Sequence, residues 1–175
     1  MVILTTMDIH CTSIRAASPL DAPSLAETLE AAWRYAYTGM LPCLDLERYI
    51  ARRGSLWWRN FLKKDPDILV LNFDNNLIGY ASIGENENHK LPYHGEIMEL
   101  YIHPDYHGLG FGSKLFRMAR KQLKSYGFRG MLLWTLEDNH SAIDFYRHMG
   151  GQIVATEEGQ FGQSQVNKIG FGWEN

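Results

Sequence analysis

The sequence predicts a mixed α/β fold in which a central sheet of about six to seven strands is flanked by helices. Three observations predict it. Helical periodicity dominates the first third of the chain, short apolar runs follow residue 66, and a glycine-rich turn joins one of these runs to an amphipathic helix. The 175 residues, 45% hydrophobic and 21% charged, have the length and composition of a single domain over residues 1–175.

The first third of the chain is predicted to form a short strand and three helices. The apolar run at 14–17 predicts the strand, and Asp21 can cap the free amide groups of a helix that Gly39 ends. Further helices are predicted from Asp45 and over 55–64. The apolar residues of the first helix recur at helical spacing: Leu25, Leu29, Ala32 and Trp33.

The rest of the chain is predicted to alternate strands with helices. Apolar runs at 68–71 and 77–83 flank Asp74-Asn75-Asn76, and asparagine in such a turn predicts a hairpin. Further strands are predicted over 96–102, 131–135, 153–156 and 166–171, and helices over 113–126 and 139–149.

Composition excludes several classes of protein. The balance of 17 Lys and Arg against 20 Asp and Glu, a net charge of -3, argues against a nucleic-acid-binding protein. No run approaches the roughly 20 apolar residues of a membrane span, so no membrane partner is expected. Cys11 and Cys43 form no paired motif, which favours a cytoplasmic protein with two buried thiols.

The glycine-rich turn at 108–112 predicts a site for phosphate groups, because glycines let the backbone approach an anion at a helix N-terminus. A P-loop is excluded because Lys114 follows Ser113, the reverse of the required order. A dinucleotide-binding turn is also excluded, because its third glycine would stand one position later and no acidic residue follows in 131–136.

Three segments, in order, resemble the GNAT N-acetyltransferases. His107-Gly108-Leu109-Gly110-Phe111-Gly112 resembles the family's [Gln/Arg]-x-x-Gly-x-[Gly/Ala] turn. The run 96–102, followed by Pro104, resembles the strand that precedes this turn, and Asn139-x-x-Ala142-x-x-Phe145-Tyr146-x-x-x-Gly150 resembles the family's second motif. The resemblance covers residues 96–151 most strongly and weakens toward the amino terminus.

The resemblance implies the GNAT fold and acetyl-CoA as the cosubstrate. His107 stands where the family has Gln or Arg, so we expect CoA binding to persist with a pH-sensitive affinity. The residues that the resemblance assigns to CoA binding are Leu100, Tyr101, Ile102, His107, Gly108, Leu109, Gly110, Phe111, Gly112, Ser113, Asn139 and Tyr146.

Acetyl transfer from a thioester to an amine needs a base for the ammonium proton and an acid for the departing thiolate. The resemblance assigns Glu96, eleven residues before His107, as the base, and Tyr146 as the acid. Glu99 stays a second candidate for the base. Strand alternation places Glu96 and Glu99 on opposite faces of the sheet unless a bulge lies between them, and the resemblance implies a bulge near this point.

The acceptor implied by the resemblance is a primary amine of a small molecule or of a protein or peptide. Trp33 and Tyr37, on the first helix, are expected to contact it. A homodimer is a further expectation, since it would cover the aromatic surface of the first helices. An acyl-CoA-binding sensor or interaction module without turnover is the alternative function.

A metal site is not expected. His94 and Glu96 share one strand face, and His103 lies four residues before His107, but the latter pair spans a proline and is not on a helix. No cysteine or carboxylate cluster completes a ligand set around either pair.

Overall fold

One seven-stranded sheet organises the protein, whose computed structural model describes residues 12–64 and 66–174. The elements in chain order are β1 Thr12–Ala16, α1 Ala22–Tyr37, α2 Cys43–Arg52, α3 Ser55–Leu62, β2 Ile68–Phe73, β3 Asn76–Glu85, β4 Gly95–Ile102, α4 Phe111–Ser125, β5 Met131–Leu136, α5 His140–His148, β6 Gln152–Phe161 and β7 Ser164–Trp173. Strand order in the sheet is β1-β2-β3-β4-β5-β7-β6. Only β4 and β5 pair in parallel, so the mixed α/β class predicted from the sequence is confirmed.

Helices cover both faces of the sheet, and each face has its own apolar core. The cluster on the α1–α3 side buries Trp58 and Tyr80 completely. The cluster on the α4 and α5 side buries Phe116 and Phe171 to the same degree. Burial of such large aromatic side chains contributes much of the favourable free energy of folding.

Local sequence signals set several of the element ends. Asp74 and Asn75 adopt positive φ values of 47° and 64°, which produces the hairpin between β2 and β3. Ser18 and Asp21 form a capping box on the short 3-10 turn ahead of α1, and Asp21 also accepts two hydrogen bonds from Arg15. The expectation that the Asp21 side chain caps α1 is therefore wrong, although the helix begins next to it. The chain therefore enters α1 where the sequence predicted it.

A β-bulge at Met98 changes the direction of the side chains of β4. Ile97 pairs with Ile83 and Glu99 pairs with Ser82, so Met98 has no partner of its own on β3. The extra residue restarts the alternation and brings Glu96 and Glu99 to the same face of the sheet. The strand therefore has the bulge that the family resemblance implies, and the alternation of an unbroken strand does not apply to Glu96 and Glu99.

The parallel strands β4 and β5 separate soon after they meet. Their pairing is confined to Gly95 with Met131 and Glu96 with Leu132, and beyond these pairs a gap opens between the strands. The His103 amide donates to Ile78 on the β3 side. Because backbone groups alternate along a strand, the amides of Leu100 and Ile102 point toward the gap.

The described residues also bear on the cysteines and on the apolar content of the helices. Cys43 is exposed at the start of α2, so the expectation of a buried thiol there is wrong, and Cys11 lies outside the described residues. Within 12–64 and 66–174, no helix is both long and apolar enough to cross a bilayer.

Candidate active site

A cleft of about 760 Å³ lies in the gap between β4 and β5. Its walls come from α1, β4, β5, α5 and the turn before α4. Most of the site residues that were predicted from the sequence line this cleft: Tyr37, Glu99, Leu100, Tyr101, Ile102, His107, Gly108, Gly110, Phe111, Gly112, Ser113, Asn139 and Tyr146. Three other predicted residues, Trp33, Glu96 and Leu109, are not part of its lining. The Leu109 side chain is 64% exposed.

The glycine-rich turn is shaped to bind an anion. Gly108 and Gly110 have φ values of +74° and +81°, in the left-handed region that glycine adopts without strain. The Lys114 amide donates to the carbonyl of Gly110, so the amides that precede it in α4 have no acceptor within the helix. These free donors and the positive end of the helix dipole meet at the mouth of the cleft.

His107 is bound to the end of β4. Its Nε2 lies 2.9 Å from the carbonyl oxygen of Ile102, and its ring packs edge-on against Tyr35 at 5.0 Å. A carbonyl only accepts, so Nε2 carries the proton and donates this hydrogen bond. His107 therefore fixes the turn to the strand edge, and the amide of Ile102 stays directed at the gap.

Asn139 and Tyr146 bring α5 to the cleft. The Asn139 side chain accepts a hydrogen bond from the Ala142 amide and caps the helix. Tyr146 is 7% exposed. Burial raises the pKa of its hydroxyl above the ordinary value, and the nearby Tyr37 raises it further. Tyr146 is thus protonated at neutral pH.

Glu99 lines the cleft, but an ion pair occupies its carboxylate. Arg53 donates from both terminal nitrogens, one of them at 3.0 Å, and the Tyr80 hydroxyl donates at 3.0 Å. The guanidinium of Arg53 lies over the rings of Trp57 and Trp58 at 4.6 and 4.8 Å. Both oxygens of the Glu99 carboxylate are thus engaged by other side chains rather than open to a substrate.

Glu96 lies beside the cleft on the same face of β4 as Glu99, as the bulge requires. Among the described residues its carboxylate has no hydrogen-bond partner. Burial raises the pKa of Glu96, and the charges of Glu87 and Glu157 raise it further, while Lys168 lowers it. A carboxylate with a raised pKa and free oxygens suits a general base better than Glu99 does.

Two phenol groups meet on the α1 side of the cleft. The hydroxyl oxygens of Tyr37 and Tyr101 lie 3.1 Å apart. Trp33 is buried behind them, with its ring 5.1 Å from that of Tyr37 and 6.2 Å from that of Tyr101. Trp33 therefore supports the wall that Tyr37 forms.

The described residues contain no group of three or more His, Cys, Asp or Glu side chains that could hold a metal ion. His103 accepts a hydrogen bond from the Asp105 amide, and His107 binds Ile102. The two histidines thus have separate partners.

Residues 25–150 match the model of the Acetyltransferase (GNAT) family. The chain belongs to this family. The match confirms the family resemblance found in the sequence. It also confirms that the protein is an acetyl-CoA-dependent acetyltransferase.

Relatives of this GNAT acetyltransferase extend along most of the chain. It is 24% identical over 161 residues to the uncharacterized N-acetyltransferase YuaI of Bacillus subtilis, covering 92% of each chain. It is 26% identical over 156 residues to the spermidine N(1)-acetyltransferase of Thermoplasma acidophilum, covering 85% of this chain and 92% of the relative.

Solved structures of GNAT proteins share the fold. The PaiA N-acetyltransferase of Thermoplasma acidophilum, solved with coenzyme A, superimposes with a TM-score of 0.71 and 23% identity over 90% of this chain and 98% of its own. A GCN5-related N-acetyltransferase from Rhodopseudomonas palustris gives a TM-score of 0.76 and 19% identity over 97% and 99% of the two chains.

The GNAT resemblance did not identify two features of the site. Arg53 stands 46 residues before Glu99, in a segment without a family motif, and its pairing with Glu99 had no signal in the sequence. Tyr101 was assigned to CoA binding, but its side chain points to the α1 side of the cleft, where it contacts Tyr37. The register of β4 after the bulge is what places it there.

Proposed function

We propose that this GNAT enzyme, acting as a single domain, moves the acetyl group of acetyl-CoA to a primary amine of a small molecule or peptide. One observation carries the proposal. A single cleft joins an anion-binding turn, an open strand edge and a buried, protonated Tyr146 to an aromatic wall on the side of α1. The amine attacks the thioester carbonyl directly in a ternary complex.

The residues of the cleft suit acetyl-CoA. The amides at the start of α4 would bind the phosphates, with Gly108 and Gly110 allowing close approach. The free backbone groups of Leu100 would pair with the amides of the pantetheine arm, as an added strand does. The Ile102 amide would polarise the acetyl carbonyl. Acetyl-CoA itself supplies the activated acyl group.

Proton transfers are assigned to residues on both sides of the reacting atoms. Glu96 removes the proton of the acceptor ammonium through a water molecule, and Tyr146 donates its proton to the departing thiolate. Attack forms the carbon–nitrogen bond and breaks the carbon–sulfur bond. Cys43 is exposed on α2 and is outside the cleft lining, which supports transfer without a covalent enzyme intermediate.

Thiol release from acetyl-CoA, measured with a panel of amines, tests the proposal. The panel contains spermidine, an aminoglycoside, free lysine and a short peptide with a free amino terminus. Spermidine is included because of the name of the Thermoplasma acidophilum relative. We expect at least one amine to raise the rate of thiol release well above hydrolysis, with the N-acetylated amine as the product.

Acetyl-CoA binding without release of thiol for any panel amine would contradict this function and favour the sensor or interaction module. Calorimetry with acetyl-CoA separates that result from a protein that does not bind the cosubstrate at all. The cytoplasmic location and the homodimer stay predictions of the sequence. Gel filtration of the purified protein tests the dimer.

A further inference from the structure

The sequence predicts that Tyr37 contacts the acceptor, and the structure adds a hydrogen bond between Tyr37 and Tyr101 that has no assigned role. Tyr37 is the last residue of α1, and Tyr101 lies near the end of β4, so the pair joins two different elements across one wall of the cleft. Both residues line the cleft. Residues at this location can contact a ligand bound in the cleft.

Backbone and ring contacts hold both phenols in place. The amides of Met40 and Leu41 both donate to the carbonyl of Tyr37, in a turn that Gly39 permits with a φ of +86°. Tyr101 stands opposite Tyr80 in the β3–β4 ladder, with the two rings 5.7 Å apart. The hydroxyls are therefore positioned before any ligand binds, which lowers the entropy cost of using them.

The pair lies close to the reacting atoms. Tyr37, Tyr101 and Tyr146 all line the same cleft. Tyr146 reaches the cleft from α5, whereas Tyr37 reaches it from α1. A thioester whose sulfur lies at Tyr146 would thus have the tyrosine pair beside its acetyl group, on the side from which an acceptor approaches.

The chemistry of the pair suits a neutral amine. Burial raises the pKa of both Tyr37 and Tyr101, and the charge of Glu99 raises each further, so both phenols are neutral at physiological pH. One proton lies between the two oxygens, which leaves lone pairs that can accept and one further O–H that can donate. Glu99 does not take that O–H, because Arg53 and Tyr80 occupy its carboxylate.

We propose that the Tyr37–Tyr101 pair holds the acceptor amine by accepting a hydrogen bond from its N–H, so that the nitrogen lone pair faces the acetyl carbonyl. The inference rests on the proposed transfer to an amine and assigns two residues that contact the acceptor. The buried Trp33 ring packs edge-on against Tyr37 at 5.1 Å and supports it from behind.

A double-mutant cycle tests this role. The variants are Tyr37→Phe, Tyr101→Phe and the double variant, assayed with the panel amine that the wild-type enzyme acetylates fastest. Each single variant should lower kcat/KM for the amine about 10-fold, the equivalent of about 1.4 kcal/mol for one hydrogen bond. The double variant should be no more than about 2-fold worse than either single one, because both changes break one pair.

Two measurements separate contact with the acceptor from a structural effect. The Kd for acetyl-CoA should change less than about 2-fold in all three variants, as measured by calorimetry. Tyr49→Phe is the matched control, because Tyr49 stacks on Trp33 at 4.9 Å in the same aromatic cluster but is outside the cleft lining. It should retain full activity.

Full activity in Tyr37→Phe would overturn the inference, and so would losses that multiply in the double variant. A parallel loss of acetyl-CoA affinity would also overturn it, because the pair would then belong to the cosubstrate site. A wild-type enzyme that acetylates no panel amine would instead contradict the proposed function, so the two failures are distinct.

Discussion

Tyr146 has the environment that a general acid requires. It is buried, it borders the cleft, and its pKa is raised, so it carries its proton throughout the physiological pH range. We expect Tyr146→Phe to lower kcat about 10-fold or more, with little change in the Kd for acetyl-CoA, since the phenyl ring preserves the packing. Steady-state kinetics and calorimetry measure the two quantities. Unchanged kcat would leave Tyr146 with a packing role only.

The two glutamates of β4 differ in what surrounds their carboxylates, and a pH profile separates them. Glu96 has a raised pKa, so the wild-type kcat/KM should decline as the pH falls through that raised value and the base becomes protonated. Glu96→Gln should remove this acidic decline and lower the rate near neutral pH about 10-fold or more.

Glu99→Gln is the comparison for this profile. Its carboxylate is bound by Arg53 and Tyr80, so the variant should keep the acidic decline while losing stability. The assignment of the base would be reversed if the decline disappeared in Glu99→Gln and persisted in Glu96→Gln.

At the scale of elements, the turn before α4 depends on left-handed backbone at Gly110. A Cβ at this position would meet no atom of the protein within 4 Å, but its φ of +81° is strained for an L residue by about 1–2 kcal/mol. The added side chain would also stand where the phosphates approach. We expect Gly110→Val to abolish CoA binding in calorimetry.

Gly127→Val is a matched control for that variant. Gly127 has a φ of +83°, equally open surroundings and a place at the other end of α4, outside the cleft lining. It should lose similar stability and keep CoA binding. Tight CoA binding by Gly110→Val, or equal loss in both variants, would contradict the placement of the phosphates.

Elements with a strong local signal were predictable, and those set by partners in the sheet were not. The β2–β3 hairpin follows from Asp74 and Asn75, and the cap of α5 follows from Asn139. α4 starts at Phe111, two residues before its predicted start, because Gly110 itself ends the turn. The bulge at Met98 depends on register with β3, so no residue type in the strand predicts it, and the expectation of a bulge came from the family resemblance alone.

The residues of the site also divide into those with a local sequence signal and those placed by distant contacts. The glycine turn and Tyr146 come from contiguous motifs, so their shared cleft could be predicted from the resemblance. Arg53, and the side-chain role of Tyr101, depend on contacts between α1–α3 and β4 that only the folded chain creates. Contacts of high sequence separation have no local signature, which is why these partners could not be inferred.

At the scale of the whole molecule, the Arg53–Glu99 ion pair links the helical layer of α1–α3 to the strand that borders the cleft. The two side chains are only 13% and 18% exposed. Replacing Arg53 with methionine would leave the Glu99 carboxylate without its charged partner, at a cost of about 3 kcal/mol in the free energy of unfolding. Chemical denaturation of the purified variants measures this loss.

Arg34 provides the comparison, because it also pairs with glutamates but lies at the surface. Its side chain is 44% exposed, and Glu30 and Glu47 are 50% and 46% exposed. Arg34→Met should therefore cost less than about 1 kcal/mol. The double variant Arg53→Met, Glu99→Met should recover most of the loss, because it removes the unpaired charge with its partner. Equal losses in the free energy of unfolding for Arg53→Met and Arg34→Met would show that water reaches the Glu99 carboxylate freely. The acceptor would then bind in a more hydrated part of the cleft than the low exposure of this ion pair indicates.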